Sequence, residues 1–185
     1  MERKELEEAL GKKRILLLEG DITEEKAELL RAWLQFLNLQ SNEEIKLIIN
    51  SKGGKIAPAL LIYDAISFLN ASVTGIVNGE CSSVTIVILQ AAKKRLATRH
   101  SFFLLPPISI DFGKIVFDEK IYKKIRETFE RGRKRQELIR QILAKRTSKT
   151  LQEIESLEKE EKMITAERAK DLGLIDEIID EQYKI

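Results

Sequence analysis

The chain has little of what several protein classes require. It has one cysteine, Cys81, so no internal disulfide can form, and a lone thiol suits a reducing cytoplasm. It has one histidine, His100, so any chemistry that needs an imidazole has a single residue to draw on. No apolar run approaches the roughly 20 residues of a membrane-spanning helix, and Met1 to Lys13 is too charged for a secretory signal. No charge of one sign dominates. Lys and Arg number 32, Asp and Glu 30, and a net charge of +2 argues against a nucleic-acid binder defined by its overall field. There is no internal repeat and no low-complexity linker. The expectation is a soluble, intracellular protein of the cytoplasm, whose 185 residues fit one domain with a substantial core. The Lys- and Glu-rich balance also fits a heat-adapted surface.

What is present begins as alternating strand and helix signals. Glu2 to Leu10 is a polar segment with helical propensity, ended by Gly11. Ile15 to Leu18 and Ile45 to Ile49 are continuous apolar runs, the mark of strands buried on both faces. Between them Ala27, Leu30, Trp33, Leu34 and Leu37 share a helical face, with Asp21 or Thr23 as its cap. Pro58 suits the first turn of a helix running through Leu60, Ile62, Ala65 and Leu69, and Val73 to Val77 is a third strand. That alternation predicts βαβ units with a parallel sheet and right-handed crossovers. Ser83 to Leu89 is ambiguous, because Val84, Thr85, Ile86, Val87 and Ile88 are β-branched and propensity says strand. Phe102 to Leu105 is a further strand, followed by Pro106 and Pro107. The text then changes to a long charged helix from Asp118 to Lys145, about 40 Å long and too long for a small sheet. Thr150 to Glu161 and Thr165 to Leu172 are the last helices, with Gly173 as a stop.

Three groups of residues carry chemistry when read together. Ile49-Asn50-Ser51-Lys52-Gly53-Gly54 follows a buried strand, and Gly79-Glu80-Cys81-Ser82-Ser83 follows the next. Met163-Ile164-Thr165-Ala166 and Ala169-Lys170-Asp171-Leu172-Gly173-Leu174-Ile175-Asp176 come much later. Their order, spacing and residue types resemble ClpP, the proteolytic subunit of the Clp protease, a serine peptidase with a Ser-His-Asp triad. The resemblance spans roughly Arg14 to Asp180. It implies an α/β, crotonase-like fold of stacked βαβ units with a projecting handle helix. The implied parts are a short N-terminal segment (1–13), a head (14–110), a handle insertion and helix (111–148) and the rest of the head (149–185). It also makes Ser83 to Leu89 a helix, since full burial overrides a weak propensity. By the same resemblance, the family's axial hairpin is expected to be absent or reduced to a stub.

Residue by residue, the resemblance puts the nucleophile on Ser83, where the family has the serine of Gly-Met-Ala-Ala-Ser-Met-Gly. Ser82, one residue out of register, is the near competitor. Alone, this serine pair reads as ordinary small residues capping a helix. The oxyanion donors are implied to be the N–H groups of Gly54 and Val84, with Lys52 where the family has proline. The histidine position falls on Pro106, which has no proton acceptor and cannot be a base. His100 stands six residues earlier, about 20 Å away along an extended strand. Glu161 falls on the aspartate position, with no histidine to orient. A Ser–Lys dyad using Lys52 or Lys162 is the remaining catalytic option. No cofactor and no metal are expected.

The implied function is a ClpP-like subunit of a self-compartmentalised serine peptidase assembly, catalytically impaired at Pro106 and so similar to the ClpR pseudoenzymes. The alternative is an active, ATP-dependent Clp-type serine endopeptidase that uses Ser83 and an unrecognised base. The implied partners are copies of the chain in a heptameric ring or double ring, other Clp subunits, a Clp AAA+ ATPase, and a peptide substrate if active. Neither nucleic acid nor membrane is expected as a partner. The handle helix itself argues for assembly: Ile121, Tyr122, Ile125, Phe129, Leu138, Ile142 and Leu143 form an apolar stripe that overshoots the domain.

Overall fold

The computed structural model describes residues 3–105, 120–160 and 162–180. In chain order the elements are α1 (Arg3–Lys12), β1 (Ile15–Glu19), α2 (Glu24–Gln40), β2 (Ile45–Ser51), α3 (Ile56–Ser67), β3 (Val73–Ser82) and α4 (Val84–Ala91). They continue with β4 (Lys94–Thr98), β5 (Phe102–Leu104), α5 (Ile121–Thr147), α6 (Leu151–Glu160), β6 (Ile164–Thr165), α7 (Ala166–Asp171) and β7 (Glu177–Ile179). The sheet runs β1-β2-β3-β4-β7 with every neighbour parallel. β5 lies off this path, parallel to β3 and antiparallel to β6.

β3 is the strand that organises the site. Its first half pairs with β4, from Thr74–Lys94 to Val77–Ala97. Its second half leaves β4 and pairs with β5, from Glu80–Phe102 to Ser82–Leu104. The change of partner occurs at Asn78 and Gly79. There four steps of β3, Val77 to Cys81, oppose two steps of β2, Ile49 to Ser51. Such a bulge redirects a strand. The Asn50 side chain fills it, accepting the Glu80 N–H at 3.0 Å. Gly79 is required beside it: φ is +117° and a Cβ would stand 2.6 Å from Asn50 Oδ1. Ser101 Oγ completes the bend by donating to Val77 O at 2.9 Å and accepting the Gly79 N–H at 3.3 Å.

α4 is a helix although its sequence favours strand. Val84 to Gln90 are all buried. Five of these are apolar, and burying each gives roughly 1.5–3 kcal/mol. The propensity penalty of a β-branched residue in a helix is at most about 0.7 kcal/mol. Burial therefore decides the conformation.

The structure corrects several boundaries. Gly11 does not end the first helix but lies within it, where a Cβ would meet the Trp33 ring at 2.8 Å, so it is there for close packing. Thr23, not Asp21, caps α2, accepting the Lys26 N–H at 3.2 Å. β3 extends five residues beyond Val77. β4 and β7 carry too many charges to read as buried strands, and neither was expected. An ion pair between buried Arg95 and Asp176 ties them together beside the exposed Lys94–Glu177 pair at 3.1 Å. Arg95, 6% exposed, spans the Asp176 carboxylate with its guanidinium and also donates to Gln90 Oε1 at 2.6 Å and Gly173 O at 2.8 Å. Asp176 Oδ2 accepts the Arg95 backbone N–H at 2.7 Å. The long helix starts at Ile121 within the described residues, and none of its residues from Tyr122 to Leu138 is buried. Ile139, Leu143 and Thr147 anchor its C-terminal end.

Asp176 gives a pH-dependent prediction. Partial burial pushes its carboxyl up, but hydrogen bonds from the Arg95 side chain and backbone, with the Arg95 charge, outweigh it. The result lies below the ordinary value of 3.8. A carboxyl depressed in the folded state stabilises above its unfolded pKa and loses that contribution as pH falls through the folded one. Asp176→Asn should cost about 2–3 kcal/mol at neutral pH in urea unfolding, because Arg95 is left buried without its counter-charge. The gap between wild type and variant should close below about pH 4.

Candidate active site

The candidate site stands where β3 ends and α4 begins. Ser83 joins them with φ +54° and ψ −131°, a conformation costing a non-glycine residue roughly 1–3 kcal/mol. A strained strand-to-helix turn of this kind exposes the side chain at its apex. The Ser83 N–H donates to Leu104 O at 2.8 Å, so β5 fixes the turn from one side. The glycine loop fixes it from the other. At Gly53, φ is +111° and a Cβ would stand 2.6 Å from Ser83 Cβ.

The two serines are now distinct. Ser82 is buried, and its Oγ faces the interior with no hydrogen-bond partner among the described residues. Ser83 is half-buried, and its Oγ has no partner among the described residues. Cys81 is no rival, because burial pushes its thiol up and keeps it protonated.

Two backbone donors lie beside Ser83 in the chain trace. Ile22 pairs with Gly54 as a parallel bridge: Ile22 N–H donates to Gly53 O at 2.9 Å and Lys55 N–H donates to Ile22 O at 3.0 Å. In such a bridge the bracketed residue turns its own N–H to the opposite side. The Gly54 N–H is therefore directed away from Ile22. Residue 54 must be glycine, since a Cβ would fall 2.5 Å from Ile22 O at φ +151°. Val84 is the first residue of α4, so its N–H has no intrahelical carbonyl to bond.

A hub behind these elements was not foreseen. Ser51 Oγ donates to Gly20 O at 2.6 Å and accepts both the Gly53 N–H at 3.1 Å and the Thr85 hydroxyl at 3.0 Å. One hydroxyl thus joins the end of β1, the glycine loop and the first turn of α4. Its position inside Asn50-Ser51-x-Gly53-Gly54 was the visible signal.

No base reaches Ser83 among the described residues. His100 is exposed in the turn before β5, whereas Ser83 is bonded at Leu104, near the other end of that strand. Four residue steps along the chain lead from His100 to Leu104, about 13 Å if extended. Lys52 pairs with Asp21 at 3.5 Å on the surface, and Lys162 pairs with Glu160 at 3.8 Å. Pro106 and Glu161 lie outside the described residues. Among the described residues no three His, Cys, Asp or Glu side chains gather as a metal ion would require.

The fold and this turn define a class, and comparison with known proteins defines it independently. The Clp protease family model matches residues 2–182. The ATP-dependent Clp protease proteolytic subunit of Ligilactobacillus salivarius (strain UCC118) is 33% identical over 180 residues, covering 95% of this chain and 88% of that protein. The structure of a point mutant of ClpP1 from Listeria monocytogenes superposes with a TM-score of 0.82 at 25% identity, over 96% of this chain and 97% of that one. The chain belongs to the Clp protease family. It has that family's α/β fold and is similar to the proteolytic subunits of serine-type Clp proteases.

The glycine loop gives a stability test. Gly20→Ala should cost about 1–2 kcal/mol, since φ is +66° but the nearest atom is the flexible Lys26 Nζ at 3.6 Å. Gly53→Ala combines positive φ with a clash against Ser83 and should cost more than about 3 kcal/mol in equilibrium unfolding. Equal costs would mean that Gly53 and Ser83 do not press on each other.

Proposed function

We propose that this chain is a Clp-type subunit whose catalytic turn is intact and whose base is missing. In this reading Ser83 holds the nucleophile position, and the Gly54 and Val84 N–H groups are the oxyanion donors. Pro106 occupies the histidine position, and Glu161 the aspartate position with nothing to orient. The observation that carries the reading is a Ser83 Oγ with no partner among the described residues, with the chain's one histidine near the far end of β5. A serine hydroxyl is a weak nucleophile at neutral pH unless something takes its proton. Losing the base of a triad costs several orders of magnitude in rate, leaving residual catalysis from the oxyanion donors.

The chain assembles as a heptameric ring or a pair of rings, works in the cytoplasm and meets a Clp ATPase. Support for assembly comes from the exposed apolar residues of α5, Tyr122 at 78%, Phe129 at 56% and Leu138 at 42%. Among the described residues no helix is long and apolar enough to cross a membrane. A second reading, an active endopeptidase with an unrecognised base, is favoured by one observation. The strained φ of Ser83 is retained at a cost in stability, as an active nucleophile would require.

Two experiments test the proposal. The purified protein should turn over fluorogenic peptides at no more than roughly a thousandth of the rate of an intact triad enzyme, and Ser83→Ala should change little. Pro106→His should rescue little, since a residue placed directly before Pro107 is restricted in its backbone. Robust turnover abolished by Ser83→Ala would establish the second reading. In solution, the mass at micromolar concentration should be that of seven or fourteen chains. Phe129→Asp should weaken any contact between rings, because it places a carboxylate in an apolar interface.

A further inference from the structure

Without a base, the turn at Ser83 presents hydrogen-bond donors and nothing to receive them. In a working triad the serine proton goes to the imidazole. Here Ser83 Oγ has no acceptor among the described residues, and it does not cap its own helix. The hydroxyl lies against the glycine loop, since a Cβ on Gly53 would stand 3.2 Å from Ser83 Oγ. On that loop the Gly53 N–H is taken by Ser51 Oγ at 3.1 Å. The Gly54 N–H, turned away from Ile22, has no acceptor among the described residues. Across the turn the Ile86 N–H is taken by Ser83 O at 3.1 Å, while the Val84 N–H is left over at the buried start of α4. No acidic residue stands in the first turn of α4, so no carboxylate of its own offsets its positive end. Glu80, the acidic residue nearest to Ser83 in sequence, pairs with Phe102 in the ladder, three residues before the turn. Lys52 directly precedes the two glycines and adds positive charge to the loop. Its ion pair with Asp21 at 3.5 Å is solvent-exposed on both sides and therefore loosely held.

From these donors we infer that the turn is a receptor for the C-terminal carboxylate of a peptide, which it holds without cutting. The inference rests on the missing base proposed above and names the ligand of that same site. The fit is one of inventory and charge. An ionised carboxylate only accepts, and it has two oxygens to accept with. One oxygen takes the Gly54 and Val84 N–H groups, and the other takes the Ser83 hydroxyl. An internal amide brings one neutral carbonyl oxygen. It serves the two N–H groups, leaves the hydroxyl without an acceptor, and gains no charge assistance. Backbone N–H groups at a helix start favour the charged ligand further. A triad enzyme divides these groups differently, because its serine proton is committed to the base. Here that proton is free for the ligand. Peptide-bond hydrolysis is the class of reaction that produces such chain ends, so the ligand is the product of cutting rather than its substrate.

The test uses the full chain and two fluorescein-labelled pentapeptides of alanine and leucine. They are identical except that one ends in a carboxylate and the other in an amide. Binding is followed by fluorescence anisotropy at neutral pH, and peptide integrity by mass spectrometry. The acid should bind roughly tenfold or more tighter than the amide. Ser83→Ala, checked for folding by circular dichroism, should weaken the acid roughly tenfold and leave the amide unchanged. Sodium acetate and inorganic phosphate should compete only at concentrations roughly a hundredfold or more above that of the acid peptide. The comparison of acid with amide stands on the wild-type protein even if the variant does not fold. Four results overturn the inference and leave the missing base in place: equal affinity for acid and amide, an acid affinity untouched by Ser83→Ala, competition by acetate or phosphate at the peptide's own concentration, or no binding of either peptide at roughly millimolar concentration. Cleavage of either peptide, abolished by Ser83→Ala, overturns the missing base itself and the inference with it.

Discussion

The site depends on one buried hydroxyl. Ser51 is 2% exposed, and its oxygen serves one acceptor and two donors at once. A hydroxyl has one proton to give and two lone pairs to offer, so Ser51 is fully satisfied. Its partners belong to three segments that are distant in sequence: Gly20 after β1, Gly53 after β2 and Thr85 in α4. Removing the hydroxyl would strand the buried Gly53 N–H and Thr85 hydroxyl, at roughly 1–3 kcal/mol for each one left unsatisfied. Because Gly53 presses directly on Ser83, the place of the candidate nucleophile is set through this hydroxyl rather than by the turn alone.

The strain at Ser83 is held by what surrounds it. Its positive φ would relax if the end of β3 were free. Instead Leu104 O takes its N–H, the bulge at Gly79 aims β3 toward β5, and buried α4 fixes the following turn. On the proposed reading of a missing base, the same scaffold offers no described residue in its place. Lys52 is drawn out to Asp21, Cys81 is kept protonated by burial, and His100 is held in the turn ahead of β5. On that reading, the turn, its donors and its support persist as structure without a proton acceptor.

Much of this was legible in the residues, for physical reasons that differ by segment. Ile15 to Leu18 and Ile45 to Ile49 read as buried strands because parallel strands covered on both faces need uninterrupted apolar runs. The glycine loop and Ser83 were legible through family resemblance, not through local pattern. Two adjacent glycines or two serines are ambiguous alone, and α4 contradicts its own propensity. β4 and β7 were missed because Arg95 and Asp176 neutralise each other across the sheet, a pairing 81 residues apart that no local window reveals. The bulge in β3 and the Ser51 hub escaped notice for a similar reason. Each is a relation among side chains and backbone groups brought together only by the fold.

The central claim is that Ser83 sits in an intact catalytic turn without a base, and its chemical reactivity tests this most directly. The measurement is the rate of covalent modification of Ser83 by a fluorophosphonate, followed by intact mass from pH 6 to 9 and mapped by peptide sequencing. The account predicts modification no faster than that of an ordinary serine, with no inflection near neutral pH. Rapid modification confined to Ser83, rising with the titration of a group near pH 7, would show that an activating base is present and would contradict it.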